Sequence, residues 1–306
     1  MSKEIYDKLS KTVRGHDVAK KHLAVSISRA AAIHKHVFLS SEEKEDTNFK
    51  GARVLLVGDS GTGKTFLVDN LGVPTLKVDA STIGLSESKS GSTTVAKLKS
   101  DIVQFAAKLI REQPSKYFSI EGTLARIVVF VDEIDKLCME FDSTGNWNRR
   151  VQSELLTLLD GDDTFKLVTF VFAGAFCGAH REQIQRRGIG FFSSEEPRQQ
   201  QVSTNTSVEE LVAFGMMPEL AGRMTSIVNL DKLTREDYTH ILLNKLVPEK
   251  QKELDILTSC VKLKLNDTEI DEIVTTAMNS GQGVRALRRE LDSYCLELEF
   301  SLGAML

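Results

Sequence analysis

The chain has little excess charge of either sign. Across 306 residues, 39 Lys and Arg stand against 43 Asp and Glu, giving a net charge of −4 and a pI near 5.9. That balance advertises no broad cationic surface, so neither nucleic acid nor anionic membrane is an expected partner. Long apolar runs are lacking too. The longest, such as IVVFV at 127–131, fall far short of the roughly 18 residues needed to cross a bilayer. The stretch MSKEIYDKLSK has no signal-peptide core, so a cytoplasmic location is expected. Cysteine is sparse: Cys138, Cys177, Cys260 and Cys295 are widely separated, with no C-x-x-C and no His at a zinc spacing. Free, buried thiols are expected instead. His34 and His36 lie two apart, on different faces of any helix, and make no metal pair. No internal repeat is evident.

What is present reads as alternating strands and helices. Residues 16–38, HDVAKKHLAVSISRAAAIHKHVF, hold Val18, Leu23, Val25, Ile27 and Ile33 among alanines, without Gly or Pro, which predicts a helix. The charged SSEEKEDTNFKG that follows predicts a solvated loop. RVLLVG (53–58), TLKVDA (75–80), ARIVVFVDE (125–133) and KLVTFVFAG (166–174) are short apolar runs of the buried-strand kind. Helical runs lie between them at 65–72, 95–111 and 148–160. Such alternation predicts an α/β fold with a mostly parallel sheet. After Leu230 the pattern turns helical: 231–254, 266–281 and 283–300 predict three helices, with VKLKL (261–265) as a lone strand. Thr234 and Asp267 stand as helix starts, and only Thr234, with Asp237 three residues on, approximates a capping box. The expected division is a large domain at 1–230 and a small helical one at 231–306.

The chemistry concentrates in two stretches. GDSGTGKT (58–65) matches G-x-x-x-x-G-K-[ST] in full, after a strand and at the opening of a helix. There Gly58, Ser60, Gly61, Thr62 and Gly63 form a backbone nest for phosphate. Lys64 supplies a point charge to the β/γ oxygens, and the Thr65 hydroxyl a magnesium ligand. IVVFVDE (127–133) then delivers two carboxylates at the C-terminal end of a strand, where ligands bind in open α/β sheets. Asp132 suits a magnesium ion held through water, and Glu133 suits polarisation of an attacking water. ATP or ADP with Mg is the expected cofactor set, and phosphoryl transfer to water the expected reaction.

Taken with TVRGHDVAKKHLAV, VDAST, VQSELLTLLDG, FAGAF, FGMMPELAGRM (214–224) and GVRALRRELD (283–292), these motifs resemble the AAA+ ATPases, and within them the clade of ClpX and HslU. The resemblance implies a P-loop AAA+ large domain with a small α-helical (α+β) lid, and an adenine pocket around Val13, Arg14 and Gly15. It further implies that Arg223 is a finger reaching the ATP of a neighbouring subunit, and that Arg285 touches the γ-phosphate of its own. A trans-acting finger requires assembly, so a homo-oligomeric ring, by family analogy a hexamer, is expected. ATP-driven remodelling of a protein partner is the implied function.

The departures from that pattern shape the expectation. No cysteine set matches the zinc-binding N-terminal domain of ClpX, and only DDTF stands where ClpX inserts a basic pore loop. Near the place of the aromatic pore loop stands SESKSGSTT (86–94), and no aromatic occurs between Phe66 and Phe105. Without rigid rings to grip an extended chain, a specialised remodeller is favoured over a general degradative unfoldase. Two alternatives stay open: an unfoldase of a ClpXP-like protease, and a slow nucleotide-gated switch or scaffold. Ile189, Gly190 and Phe191 match the tripeptide by which ClpX docks on its ClpP-like peptidase.

Overall fold

Three of the four apolar runs ending near an acid or a glycine become the middle of one sheet. The computed structural model describes residues 1–39, 49–85, 94–139, 145–160, 162–176, 206–257 and 262–303. Within them, β1 (Arg53–Val57), β2 (Thr75–Asp79), β3 (Val128–Asp132), β4 (Thr169–Gly174) and β5 (Ser226–Asn229) pair in the order β2-β3-β4-β1-β5. Every pairing is parallel. Parallel strands covered on both faces read as near-continuous apolar runs, and β1 and β4 are buried at every position, with Arg53 and Thr169 as their polar first residues. Leu55, Val129, Val131 and Phe172 centre the core, with Ile102, Leu155 and Leu158 packed in from helices. The register sets Asp79 beside Asp132 at the C-terminal ends of β2 and β3.

The expected helices form as α2 (Asp17–Leu39), α3 (Lys64–Asp69), α5 (Thr94–Glu112) and α7 (Gly145–Asp160). Three further helices were not expected: α1 (Ser2–Thr12), which buries Ile5 and Leu9 on one face, and α4 (Ala80–Leu85) and α6 (Ile120–Leu124), too short to carry a periodic pattern. Strand β5 was likewise missed, since SIVN offers only two apolar residues. The charged stretch 40–48 and the loop 86–93 lie outside the described residues.

Contacts divide the chain into two compact units, each with its own core. One comprises Met1–Thr12, Asp17–Val57 and Thr65–Leu230; the other comprises Val13–His16, Gly58–Lys64 and Asp231–Leu306. The second packs Tyr238, Leu242, Leu246, Val274, Leu287 and Leu291 into an apolar centre. Its first helical run is interrupted: Arg235–Ile241 and Val247–Leu257 are α-helical, and Leu242–Leu246 forms a π turn. Pro248 follows that turn and cannot donate to an α ladder, which accounts for the change of hydrogen bonding.

Two local expectations need correction. The helix Asp267–Asn279 is capped by Asn266 rather than Asp267, and Asn266 with Glu269 completes a full capping box, as Thr234 does with Asp237. The lone strand at VKLKL is not formed over its described residues, 262–265. The Leu263 N–H instead donates to Gln251 Oε1 at 2.7 Å, a side-chain partner in place of a neighbouring strand.

Candidate active site

In the second unit the glycine loop rests against the start of the helix Val284–Gly303. Gly61 (φ +81°) and Gly283 (φ +64°) both occupy the left-handed region. A Cβ on Gly61 would fall 2.0 Å from the Gln282 carbonyl oxygen, and one on Gly283 would fall 2.3 Å from that of Gly61. Only glycine allows two backbones so close. The Val284 N–H donates to the Gly61 carbonyl at 3.2 Å. One residue later, Arg285 Nη1 donates to Ser60 Oγ at 3.1 Å. Arg285, for which the resemblance implies contact with the γ-phosphate, therefore lies against the glycine loop.

Within the loop, the Thr62 hydroxyl donates to the Asp59 carbonyl at 2.9 Å. Lys64 Nζ donates to the carbonyls of Gly58 and Asp59 at 2.5 and 2.9 Å. Behind it, His16 Nε2 lies 2.9 Å from the Thr62 carbonyl, an acceptor that requires the proton on that nitrogen. His16 is 6% exposed and has φ +57°, unusual for a residue with a Cβ. Val13 is buried, and Arg14 Nε donates to Asp237 Oδ1 at 3.2 Å. Burial pushes the Asp237 carboxyl up, but the Thr234 hydrogen bonds and the Arg14 guanidinium outweigh it and hold it below the usual carboxylate range. A cavity of about 190 Å³ opens on Ser60 and Thr62 and is walled by Leu233, Tyr238 and Met278.

The first unit holds the acid pair. The Thr65 hydroxyl donates to Asp132 Oδ2 at 2.8 Å, so the last residue of the glycine motif meets the first acid of the strand motif. Asp132 Oδ1 accepts the Glu133 N–H at 3.0 Å. Glu133 itself is left-handed, φ +57° and ψ +37°, and pairs with Lys136. That conformation is strained for an L-residue and turns the carboxylate sharply off the line of β3. Arg223 lies in the same unit and forms an ion pair with Asp160 of its own chain.

The structure thus brings together Thr65 with Asp132, and Ser60 with Arg285. It sets Val13, Arg14, Gly58, Gly61, Thr62, Gly63 and Lys64 in one unit, and Asp132, Glu133 and Arg223 in the other. Ile189, Gly190 and Phe191 lie outside the described residues. Sequence reasoning missed His16, whose only signal was its place after Gly15, and Asp160, which had none beyond ending a helical run.

A parallel sheet bearing a glycine loop after β1 and an acid pair at the end of β3 defines a P-loop ATPase. The family described as "ATPase family associated with various cellular activities (AAA)" matches residues 54–188. Similarity to one kind of AAA protein extends over nearly the whole chain. It is 26% identical to the ATP-dependent Clp protease ATP-binding subunit ClpX of Borrelia duttonii, over 98% of this chain and 74% of that protein. The ClpX of Porphyromonas gingivalis is 25% identical over 98% of this chain and 77% of its own length. That of Treponema denticola is 26% identical over 97% and 76%. The chain is a ClpX-like AAA+ ATPase and binds nucleotide. No helix among the described residues is long and apolar enough to cross a membrane.

Proposed function

We propose that this chain hydrolyses MgATP as a subunit of a homo-oligomeric ring, a hexamer by likeness to its relatives, and spends the energy on remodelling a protein partner. The observation that carries the hydrolytic part is the 2.8 Å contact between Thr65 Oγ1 and Asp132 Oδ2. A hydroxyl and a carboxylate form the hard-oxygen donor set that magnesium takes alongside substrate phosphates. Thr65 would hold the ion directly and Asp132 through water, and the bound ion would offset phosphate charge. Lys64, now satisfied by loop carbonyls, exchanges them for the β/γ oxygens. Glu133 orients the attacking water and accepts its proton. Arg285 acts on the γ-phosphate of its own subunit, and Arg223 on that of its neighbour, where a finger is worth about 10³ to 10⁵ in rate. Val13 and Arg14 flank the adenine.

Glu133 favours turnover over a static scaffold, because a scaffold has no use for a strained, water-orienting acid. The non-aromatic SESKSGSTT favours a specialised remodeller over a degradative unfoldase. The second reading, an unfoldase for a ClpP-like peptidase, is favoured by the relatives' designation as protease subunits and by Ile189, Gly190 and Phe191. ATP turnover of the wild type against Glu133→Gln tests the first part, and equal rates would sink it. ATP-dependent unfolding of a stable tagged domain, with and without a ClpP peptidase, separates the two readings. A specialised remodeller leaves that domain folded.

A further inference from the structure

Asp160 is the last residue of α7, at the negative end of the helix dipole, where a carboxylate is disfavoured. Three cations from two segments surround it there: Lys50 Nζ at 2.9 Å and Arg53 Nη2 at 3.3 Å from the approach to β1 and its first residue, and the Nε of Arg223. The Arg53 side chain is 7% exposed and also donates to the Leu159 carbonyl, closing the last turn of α7. Burial pushes the Asp160 carboxyl up, yet the Lys50 hydrogen bond and the charges of Arg53, Lys50 and Arg223 hold it below its ordinary value. It is therefore ionised at neutral pH.

The same helix holds the finger segment from its middle. Gln152, 1% exposed, accepts the Met217 N–H at 2.7 Å and donates to the carbonyls of Leu137 and Gly215 at 2.8 and 3.3 Å. Just past Arg223, Thr225 is tied to the Arg53 backbone in both directions, at 2.8 to 3.0 Å. Residues 215–225 are thus pinned to α7 and β1. The Arg223 side chain itself stands 52% exposed. A carboxylate on Nε restrains that side chain without consuming its two terminal nitrogens, the fork that matches phosphate oxygens.

We infer that Asp160 is a positioning residue for Arg223, fixing the guanidinium so that its terminal nitrogens meet the ATP of the neighbouring subunit. The inference rests on the trans-finger role proposed above. Fixing a long, half-exposed side chain beforehand removes an ordering cost that the transition state would otherwise bear.

The test is steady-state ATP turnover by assembled Asp160→Asn protein, beside binding of a fluorescent ATP analogue. The expected result is a kcat at least tenfold lower with unchanged analogue affinity. The double variant Asp160→Asn/Arg223→Ala should be no slower than Arg223→Ala alone, and Asp160→Glu should recover part of the rate. Mixing Asp160→Asn with Lys64→Ala subunits should restore turnover, because the latter bring an intact Asp160–Arg223 pair to an intact phosphate loop. Arg53→Gln/Asp160→Asn, which leaves no buried charge stranded, serves in the same assays if the single variant does not fold. An unchanged or raised kcat overturns the inference, as does a loss that mixing fails to restore where it does restore Arg223→Ala. If Arg223→Ala costs nothing, or mixing never restores it in rings that co-assemble, the trans finger itself is wrong and the role of Asp160 falls with it.

Discussion

Glu133 carries the sharpest consequence at the scale of single residues. A left-handed backbone costs an L-residue roughly 1 to 2 kcal/mol, and glycine nothing; its ion pair with Lys136 is exposed and screened by solvent. Glu133→Gly should therefore melt no lower than Glu133→Gln, while both lose turnover by about 10² to 10⁴. Calorimetry beside an ATPase assay checks this, and a clear drop in Tm for the glycine variant alone would count against strain at this position. Lys64→Ala, in contrast, should abolish nucleotide binding itself, read with the same fluorescent analogue. Two cysteines are also decisive. Burial pushes the Cys138 thiol up to about 12 and raises Cys295 as well, so neither is a thiolate at neutral pH. Alkylation mapped by mass spectrometry should spare both in native protein and reach both in denaturant.

At the scale of elements, the contact between the glycine loop and the start of the helix Val284–Gly303 is made by backbone. Gly283→Ala would drive a Cβ into the Gly61 carbonyl at 2.3 Å while holding alanine at φ +64°. Local strain of this kind costs on the order of 1 to 3 kcal/mol. Arg285→Ala removes only a charged side chain from the same place. The expected outcome is that Gly283→Ala lowers both melting temperature and nucleotide affinity, whereas Arg285→Ala leaves melting unchanged and slows turnover. Equal melting of the two variants would show that the close approach is not needed. His16 belongs to the same construction. His16→Gln can keep a donor for the Thr62 carbonyl, and His16→Ala cannot, so only the alanine variant should weaken nucleotide binding.

For the whole molecule, acid is the informative variable. Asp17, Asp160, Asp162 and Asp237 all titrate below the ordinary aspartate value, despite burial acting in the opposite direction at each. Their folded pKa values are depressed, so the unfolded chain takes up protons first. The stability they contribute is complete above the unfolded value, about 4, and is lost as pH falls through the folded ones. Denaturant midpoints should begin to slip as pH falls through about 6.5, where burial keeps His34 from taking up a proton in the folded chain, and fall steeply below about pH 4. Asp237→Asn should flatten that fall, and an unaltered acid limb would show that its pairing with Arg14 contributes little. The proposed ring makes a separate demand: Arg223→Ala should slow turnover without weakening nucleotide binding by isolated subunits, and mixing with Lys64→Ala should restore part of it.

The sequence by itself determined whatever is contiguous. Strand, glycine loop and helix in RVLLVGDSGTGKTFLVDN, and the acids ending IVVFVDE, are legible because each chemical role is bound to a local pattern of apolar residues and turns. β5 and the Asn266 cap escaped because four residues, or one position, carry too little pattern to outweigh neighbouring signals. Only the tertiary structure could decide which distant side chains meet. Thr65 and Asp132 are 67 residues apart, Ser60 and Arg285 are 225 apart, and Asp160 finds Arg223 only where the end of α7 packs beside the start of β1 and the segment leading to β5. Periodicity tells a side chain which face of its own element it occupies; which partner waits on the other side is fixed by strand order and packing, and no local pattern records it.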